Sequence, residues 1–322
     1  AECLPLECQQ QVQAASSHLH AWLVMRSWDA VFCQALSSAW RDRCAPCADE
    51  GACMTTTARL FHQSLLPLQS LLASCDGTTL LPSANGPIAL CAIERGLATL
   101  QAAFHWLSTK SFHFLASWSL EEVFLVTQGD LRVSAQLCTP AHQRFTRVAL
   151  MFEGNLPNHR GFSLRPSQAL SEETLRLFAS DCKKMAQETL EQTMPLGKQW
   201  RQAKELAARP TEPNEYALVA VATVVQPVME ALAPLDTHCQ VEPAAQVCSA
   251  LMLAWMEHIV HKKVVFSVQG GLQLKMDFQA LRSYLASESC PLAPETRRRV
   301  LGLGVFRRAE EAARCLLKQP RR

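Results

Sequence analysis

Three cysteines and a histidine form the chain's one cluster with the spacing of a metal site. Cys44, Cys47 and Cys53 are followed by His62, and three thiolates with one imidazole could complete a tetrahedral zinc site. Structural zinc sites are more typically built from two separated pairs of ligands, and no second pair follows here. We therefore interpret the stretch as a loop with incidental cysteines and predict no metal, while zinc binding by these residues stays open as the alternative.

A glutamine and an aspartate one helical turn apart are the next candidates for chemistry. Gln273 and Asp277 share a stripe with Gly270, beside an apolar stripe on the same predicted helix. General acid–base catalysis needs a second positioned group, and no motif supplies one. We predict instead that Asp277 ties its helix to a neighbouring helix terminus or a basic residue, and that Gln273 satisfies a buried backbone group. The residues predicted to have such structural or interaction roles are Phe266, Gly270, Gln273, Leu274, Asp277 and Leu281.

A run of arginines gives the last predicted helix a charged face. Arg297, Arg298, Arg307 and Arg308 lie opposite apolar residues of the same segment. The face could meet a partner or an anionic lipid surface. We prefer a solvated face, partly neutralised by glutamates at helical spacing, and keep the four arginines as interaction candidates.

Other catalytic signatures do not occur in recognisable form. Glu257, His258 and His261 are not in the order of a metalloprotease helix, in which two histidines flank the glutamate. Gly270-Gly271 lacks the Lys-Ser/Thr pair that follows a phosphate-binding loop. We therefore predict no catalytic residue, no cofactor and no enzymatic activity.

Composition favours an all-α protein. Hydrophobic residues make up 48% and charged residues 19% of 322 residues, with only 12 Gly and 2 Tyr, which argues against a strand-rich fold. A net charge of +2 creates no long-range field for nucleic acid. Fourteen cysteines are scattered through the chain. We interpret Cys33, Cys91, Cys182, Cys239, Cys248 and Cys315 as reduced core residues of a cytoplasmic protein.

Helical periodicity extends through most of the chain and predicts two domains, 1–168 and 169–322. One helix, or two joined at Ser27-Trp28-Asp29, opens the first domain. Ser119 caps a later helix within the apolar stretch 112–137, and Pro and Gly punctuate the stretch before residue 169. A long helix from 171 to 206 is predicted to bend at Met194-Pro195. Four helices of an antiparallel bundle follow, at 216–232, 241–261, 271–286 and 294–317.

The run at 216–229 is too short to span a bilayer and is predicted to be a buried helix. No basic segment followed by an apolar one indicates a signal peptide, and because the chain begins with Ala1 and not Met we expect a piece of a longer protein.

Three segments resemble the carboxyl-terminal region of the coiled-coil-domain-containing protein 142 family. They are SWDAVFCQAL at 27–36, FSVQGGLQLKMDFQAL at 266–281 and LGLGVFRRAEEA at 301–312. The second segment also resembles a pattern near the carboxyl end of multisubunit vesicle-tethering proteins, where an aromatic residue, a Gly, a Gln-Leu pair and an Asp recur in this order. That more distant resemblance implies an elongated rod of antiparallel helical bundles and no catalysis.

The expected function follows from the same resemblance. Tether-like bundles imply contacts with tether subunits, small GTPases or fusion-machinery helices, on Golgi or endosomal membranes reached from the cytoplasm without a transmembrane segment. The expectation is therefore a non-enzymatic interaction module, such as a vesicle-tethering or membrane-trafficking adaptor. A cytoskeletal or centrosomal scaffold, or a helical-repeat adaptor, is the alternative.

Overall fold

The all-α prediction is confirmed. The computed structural model describes residues 5–41, 44, 46, 54–75, 86–131, 165–201 and 210–318. Within these ranges the regular structure is helical, and the one extended pairing is an isolated bridge between Pro46 and Thr55. The rod-like arrangement of bundles stays a prediction.

The chain divides into two compact units. The N-terminal unit comprises Ala1–Ser117 and Leu125–Ser171, and the C-terminal unit comprises Trp118–Phe124 and Glu172–Arg322. The short segment Trp118–Phe124 therefore packs with the C-terminal half of the chain. The predicted boundary at 168/169 stays a prediction.

Three long helices build the N-terminal unit: α1 (Leu6–Arg41), α2 (Thr56–Cys75) and α3 (Gly86–Ala116). They pack on one another around an apolar core to which Trp28 of α1 contributes. The indole Nε1 of Trp28 donates to Thr99 Oγ1 of α3 at 3.0 Å, so its polar atom is satisfied inside the core. The predicted join at Ser27-Trp28-Asp29 is wrong, because α1 runs through it without interruption.

A short helix links the two units along the chain. Helix α4 (Leu120–Phe124) begins directly after Ser119, as predicted, and continues into a π-helical turn, Leu125–Asp130. The predicted end of the helix at 137 lies outside the described residues.

The remaining helices lie in the C-terminal unit, except that the first of them begins at Arg165, within the N-terminal unit. Helix α5 (Arg165–Thr193) ends just before Met194-Pro195, where a bend was predicted, and α6 (Lys198–Arg201) is a single turn. Proline at this position cannot continue the helical hydrogen-bond ladder. The bundle that follows comprises α7 (Glu215–Leu232), α8 (Thr237–His261), α9 (Val268–Ala286), α10 (Pro294–Leu301) and α11 (Gly304–Leu317).

Two details of this bundle differ from the periodic pattern. Helix α7 contains a π-helical turn, Val221–Val225, between two α-helical parts. The predicted single helix at 294–317 is wrong: it breaks at Gly302 and Leu303, where the Gly302 amide closes the end of α10 by donating to Arg298 and Arg299 carbonyls. A new helix then starts with Gly304.

Helix α7 is the one described helix that is long and apolar enough to cross a membrane by length and composition. Its 18 residues are 56% buried in the protein. Buried residues include Tyr216, Val225 and Met229, which pack into the unit's core. This burial is typical of the core helix predicted from the sequence.

Neighbouring helices have defined relative directions. Helices α5 and α8 run side by side in the same direction, since Lys183 pairs with Glu257 at 2.8 Å and Glu191 pairs with Lys262. Helix α11 runs antiparallel to α9, because Glu310 pairs with Arg282 at 2.7 Å, near the end of α9, whereas Leu317 lies beside Gly271 at its start. The carboxyl ends of α5, α8 and α11 and the amino end of α9 therefore meet at one end of the unit.

Candidate functional site

Helix α9 begins with a side-chain cap. Ser267 lies in extended backbone conformation before the helix, and its Oγ accepts from the Gly270 amide at 3.1 Å. The Ser267 amide in turn donates to the Trp200 carbonyl of α6 at 2.8 Å. A cap of this kind typically stabilises a helix by about 1 kcal/mol, and here it also fixes α6 against the start of α9.

Gly270 is required by this close approach. A Cβ placed on Gly270 would lie 2.3 Å from the Trp200 carbonyl oxygen, well inside van der Waals contact. Glycine therefore allows α6 and α9 to touch through their backbones. The contact brings the Trp200 ring against Phe266, with ring centroids 5.0 Å apart.

Asp277, two turns further along α9, is fully buried and accepts four hydrogen bonds. Oδ1 accepts from the Asn214 amide at 2.8 Å and from Gln273 Nε2 at 2.9 Å, while Oδ2 accepts from Asn214 Nδ2 at 3.1 Å and Tyr216 Oη at 2.7 Å. Asn214 is the N-cap residue of α7. We call Asp277 together with Asn214, Tyr216 and Gln273 the Asp277 latch.

The latch holds a carboxylate without a cation. Among the described residues no basic side chain forms an ion pair with Asp277. A buried charge is tolerated when hydrogen bonds replace its hydration, and the amino end of α7 adds the favourable field of the helix dipole. The Asp277 carboxylate therefore fastens the start of α7 to the middle of α9.

Gln273 completes the latch from the solvent side. Its Nε2 donates to the Glu212 carbonyl at 3.0 Å as well as to Asp277, so the half-buried amide uses both of its hydrogens. The Glu212 carbonyl belongs to the segment that leads into α7. Gln273 therefore satisfies a backbone group ahead of the helix that Asp277 anchors.

The chemistry available at the latch is limited by burial. Burial raises the pKa of Tyr216 well above its usual value, and the neighbouring Asp277 charge raises it further, so the hydroxyl remains a proton donor. Tyr216 is 4% exposed and Asp277 is 0% exposed, which leaves no room for a substrate at the reacting atoms. The arrangement can hold helices together. That Asp277 is structural and not catalytic stays a prediction.

Sequence reasoning placed Asp277 and Gln273 on one stripe but did not identify Asn214 or Tyr216 as their partners. A helix-capping Asn just before an apolar run was the available local signal. Pairing it with a residue more than sixty positions away required the tertiary structure. Leu274, Phe278 and Leu281 are buried on the adjacent stripe, and Phe266 is buried before the helix.

A second buried carboxylate, not anticipated from the sequence, lies in the N-terminal unit. Asp130 closes the π-helical turn after α4 and is 0% exposed. Its Oδ1 accepts from the Thr55 amide at 2.6 Å and its Oδ2 from Thr55 Oγ1 at 2.8 Å, while Thr55 Oγ1 accepts from the Ala58 amide in the first turn of α2 at 3.1 Å. Each unit therefore fastens a helix start to a buried aspartate.

The predicted arginine run divides by environment. Arg298, Arg307 and Arg308 are exposed, whereas half-buried Arg297 donates from Nη1 to the Ser287 carbonyl at 2.6 Å. These residues lie at the end of the unit where α10 packs on the start of α8, since Thr296 Oγ1 donates to Gln240 Oε1 at 3.0 Å. That end is opposite to the one where α9 begins.

The predicted metal candidates fall only partly within the described residues. Cys47 and Cys53 lie outside them, Cys44 is buried, and burial lowers the pKa of His62. Within the described ranges no three His, Cys, Asp or Glu side chains are grouped closely enough to hold an ion. Zinc binding by the complete set of four residues stays an open alternative.

The described cysteines are free thiols in two environments. Cys182, Cys239 and Cys248 are buried as predicted, and burial raises the pKa of Cys182 and Cys248. Such thiols are poor nucleophiles. The prediction that Cys33 and Cys315 are core residues is wrong, because both are exposed on outer helix faces, and Cys91 is half-buried.

These features define a class: an all-α protein of two compact units whose buried polar side chains join helices. Comparison with known proteins then identifies the family. The family described as "Coiled-coil protein 142" matches residues 1–322, and the chain belongs to it. Among curated relatives it is similar to "Coiled-coil domain-containing protein 142" of Mus musculus, with 32% identity, and to the Homo sapiens protein of that name, with 31% identity, in both cases over 98% of this chain. The chain spans about 42% of the mouse and 41% of the human protein. No solved structure matches it.

Proposed function

We propose that the chain is a non-enzymatic protein-interaction module that serves as an adaptor in vesicle tethering or membrane trafficking. The observation that carries the proposal is the outer face of α1. This helix has 36 residues, which corresponds to about 54 Å at 1.5 Å per residue. Large apolar side chains are exposed along it, including Val12, Leu19, Leu23 and Trp40.

The exposed side chains of α1 form a seam and not a random scatter. Val12, Leu19 and Leu23 are spaced by seven and four residues, so they lie on one face of the helix, opposite the buried residues Val24 and Trp28. An apolar stripe with this spacing is how an amphipathic helix binds a partner helix. We call Val12, Leu19 and Leu23 the α1 seam.

Buried polar groups support the non-enzymatic part of the proposal. Asp277, Asp130 and Gln240 each bond to backbone or side-chain groups at helix ends. Their donors and acceptors are occupied by the protein itself, which is how polar groups serve packing and not turnover. By resemblance, the proposed partners are tether subunits, small GTPases or fusion-machinery helices, reached from the cytoplasm at Golgi or endosomal membranes.

Co-purification from cells tests the proposal. We expect tether subunits or their membrane partners with the unaltered chain, and loss of those proteins with a Leu19→Glu, Leu23→Glu variant. A matched control, Gln10→Glu with Gln13→Glu, adds the same charge at exposed positions of α1 and leaves the α1 seam intact. Cytoskeletal partners lost by the same substitutions would favour the scaffold alternative. Turnover of a substrate by the purified chain would contradict the non-enzymatic assignment.

A further inference from the structure

The described part of the C-terminal unit exposes five large apolar side chains, and four of them lie at one end. The five are Leu196, Leu218, Val260, Val265 and Val268, with Val260 the most exposed at 75%. Leu218 belongs to the first turn of α7, which bonds to the middle of α9. The other four belong to segments that meet where α9 begins: the connector before α6, the end of α8, the turn after it and the start of α9. We call Leu196, Val260, Val265 and Val268 the valine end.

Backbone contacts hold these segments together. The Trp200 carbonyl bonds the Ser267 amide, and Trp200 Nε1 donates to the Pro195 carbonyl at 2.6 Å, so the connector that carries Leu196 lies against the turn that carries Val265. The valine end is therefore a set of protruding side chains on a rigid base and not a flexible tail.

Lysines border the valine end. Lys262 is bonded to Glu191, whereas Lys198 and Lys263 are exposed and form no ion pair with any described residue. Exposed aliphatic side chains with lysines around them present a hydrophobic tip that a bilayer can accept, while the ammonium groups remain at headgroup level.

The backbone at Lys263 adds an independent observation. Lys263 has φ of +50°, and its amide and the Val264 amide bond back to the Val260 and Ile259 carbonyls, so the end of α8 is a Schellman motif. The residue with positive φ in this motif is usually glycine, because a Cβ is strained there. Because a lysine at this position strains the backbone, we infer that its side chain has a role that offsets the strain.

We propose that the valine end docks on an anionic membrane surface. A second copy of the chain is a poor occupant, because an isologous contact would bring Lys198 and Lys263 against the same lysines. A protein partner is usually held by a recessed pocket or along a helix face, whereas these side chains stand on turns and helix ends. The inference goes beyond the proposed function, since it requires no protein partner.

Vesicle flotation with the purified 322-residue chain tests the proposal. We expect binding to phosphatidylcholine vesicles that contain phosphatidylserine, weaker binding at high salt, and little binding to phosphatidylcholine alone. Lys198→Gln with Lys263→Gln should weaken binding about twenty-five-fold, since each basic residue near an anionic surface contributes about fivefold. Val265→Ser with Val268→Ser should weaken binding and leave its salt dependence unchanged.

Two further variants make the result decisive. Arg298→Gln with Arg307→Gln removes the same charge at the opposite end of the unit and should leave binding unchanged. Lys263→Gly should raise the melting temperature by relieving the positive φ and lower vesicle binding about fivefold, which misfolding cannot produce together.

Several outcomes would overturn the proposal. The first is that the chain does not bind phosphatidylserine vesicles, and the second is that the arginine control loses as much binding as the lysine variant. The third is that the lysine substitutions weaken binding to an acidic protein partner but not to vesicles. The last result would assign the valine end to a protein interface. Because purified components are used, failure here leaves the co-purification test of the α1 seam independent.

Discussion

Removing the Asp277 carboxylate should destabilise the C-terminal unit strongly. Asp277→Ala deletes the acceptor of four hydrogen bonds inside a fully buried site. Gln273 keeps its bond to the Glu212 carbonyl, so the donors left without a partner are the backbone amide and side-chain Nδ2 of Asn214 and the Tyr216 hydroxyl. Each buried donor left unsatisfied costs about 1–3 kcal/mol, and loss of the charge at the start of α7 adds up to about 1 kcal/mol. We expect a total loss of about 3–5 kcal/mol.

Urea denaturation measures this loss through tryptophan fluorescence, since Trp200 and Trp255 are buried in the same unit and contact the Tyr216 ring. Tyr216→Phe is the graded control: it removes one donor and leaves three bonds to Asp277, so it should cost about 1 kcal/mol. A double-mutant cycle of the two substitutions should show coupling, because the hydroxyl contributes only while its acceptor is present.

The latch interpretation fails under a specific result. If Asp277→Ala left the denaturation midpoint unchanged and abolished partner binding, the carboxylate would be a recognition group. If instead the midpoint falls while partners still bind at low temperature, the role is structural. Asp277→Asn separates charge from shape, since the amide fills the same volume but places a donor where two donors now converge.

Three further expectations follow from the packing. Gly270→Ala should destabilise the fold by about 2 kcal/mol or more and displace Trp200, since strained core contacts typically cost about 1–3 kcal/mol. Gly304→Ala is the control: no atom lies within 4 Å of a Cβ placed there, so the same thermal melt should show almost no change. Asp130→Ala should lower the stability of the N-terminal unit by about 2–4 kcal/mol through loss of its bonds to the start of α2, and hydrogen exchange of α2 amides would show it. Burial lowers the pKa of His258, against the opposing carboxylate of Glu191. The unfolded chain therefore binds a proton first as pH falls below about 6.5, and stability should drop between pH 7 and 5, less so in His258→Gln.

The contrast between Ser119 and Asp130 shows what the sequence could predict. A helix start depends on residues within a few positions, so a Ser followed by glutamates placed the beginning of α4 correctly. The same local logic missed the break at Gly302, because whether a glycine ends a helix depends on what the following residues pack against. The all-α class was equally predictable, because it requires only periodicity and composition.

The hydrogen-bond partners of the buried aspartates show what the sequence could not predict. Asp277 and Asn214 are far apart in sequence, as are Asp130 and Thr55, and no local pattern relates them. The exposure of individual cysteines could not be predicted either. Cys33 and Cys315 lie within apolar helical patterns like those of the buried cysteines, and only the packed structure shows that they are on exposed helix faces. The valine end has no sequence signature, since Leu196 comes from the connector between α5 and α6, whereas the three valines come from the junction between α8 and α9.

Substitutions of the buried polar groups should affect melting, whereas substitutions of the exposed apolar groups should affect binding. Asp277 and Gly270 contact only the protein itself, so substitutions there should change melting and alter binding only through unfolding. Leu19 and Val265 are more than half exposed, so replacing them with polar residues removes little packing and should leave melting nearly unchanged. If a polar substitution at Leu19 or Val265 destabilised the fold as much as Asp277→Ala, the exposed side chains would have a packing role, and neither the α1 seam nor the valine end would be a docking surface.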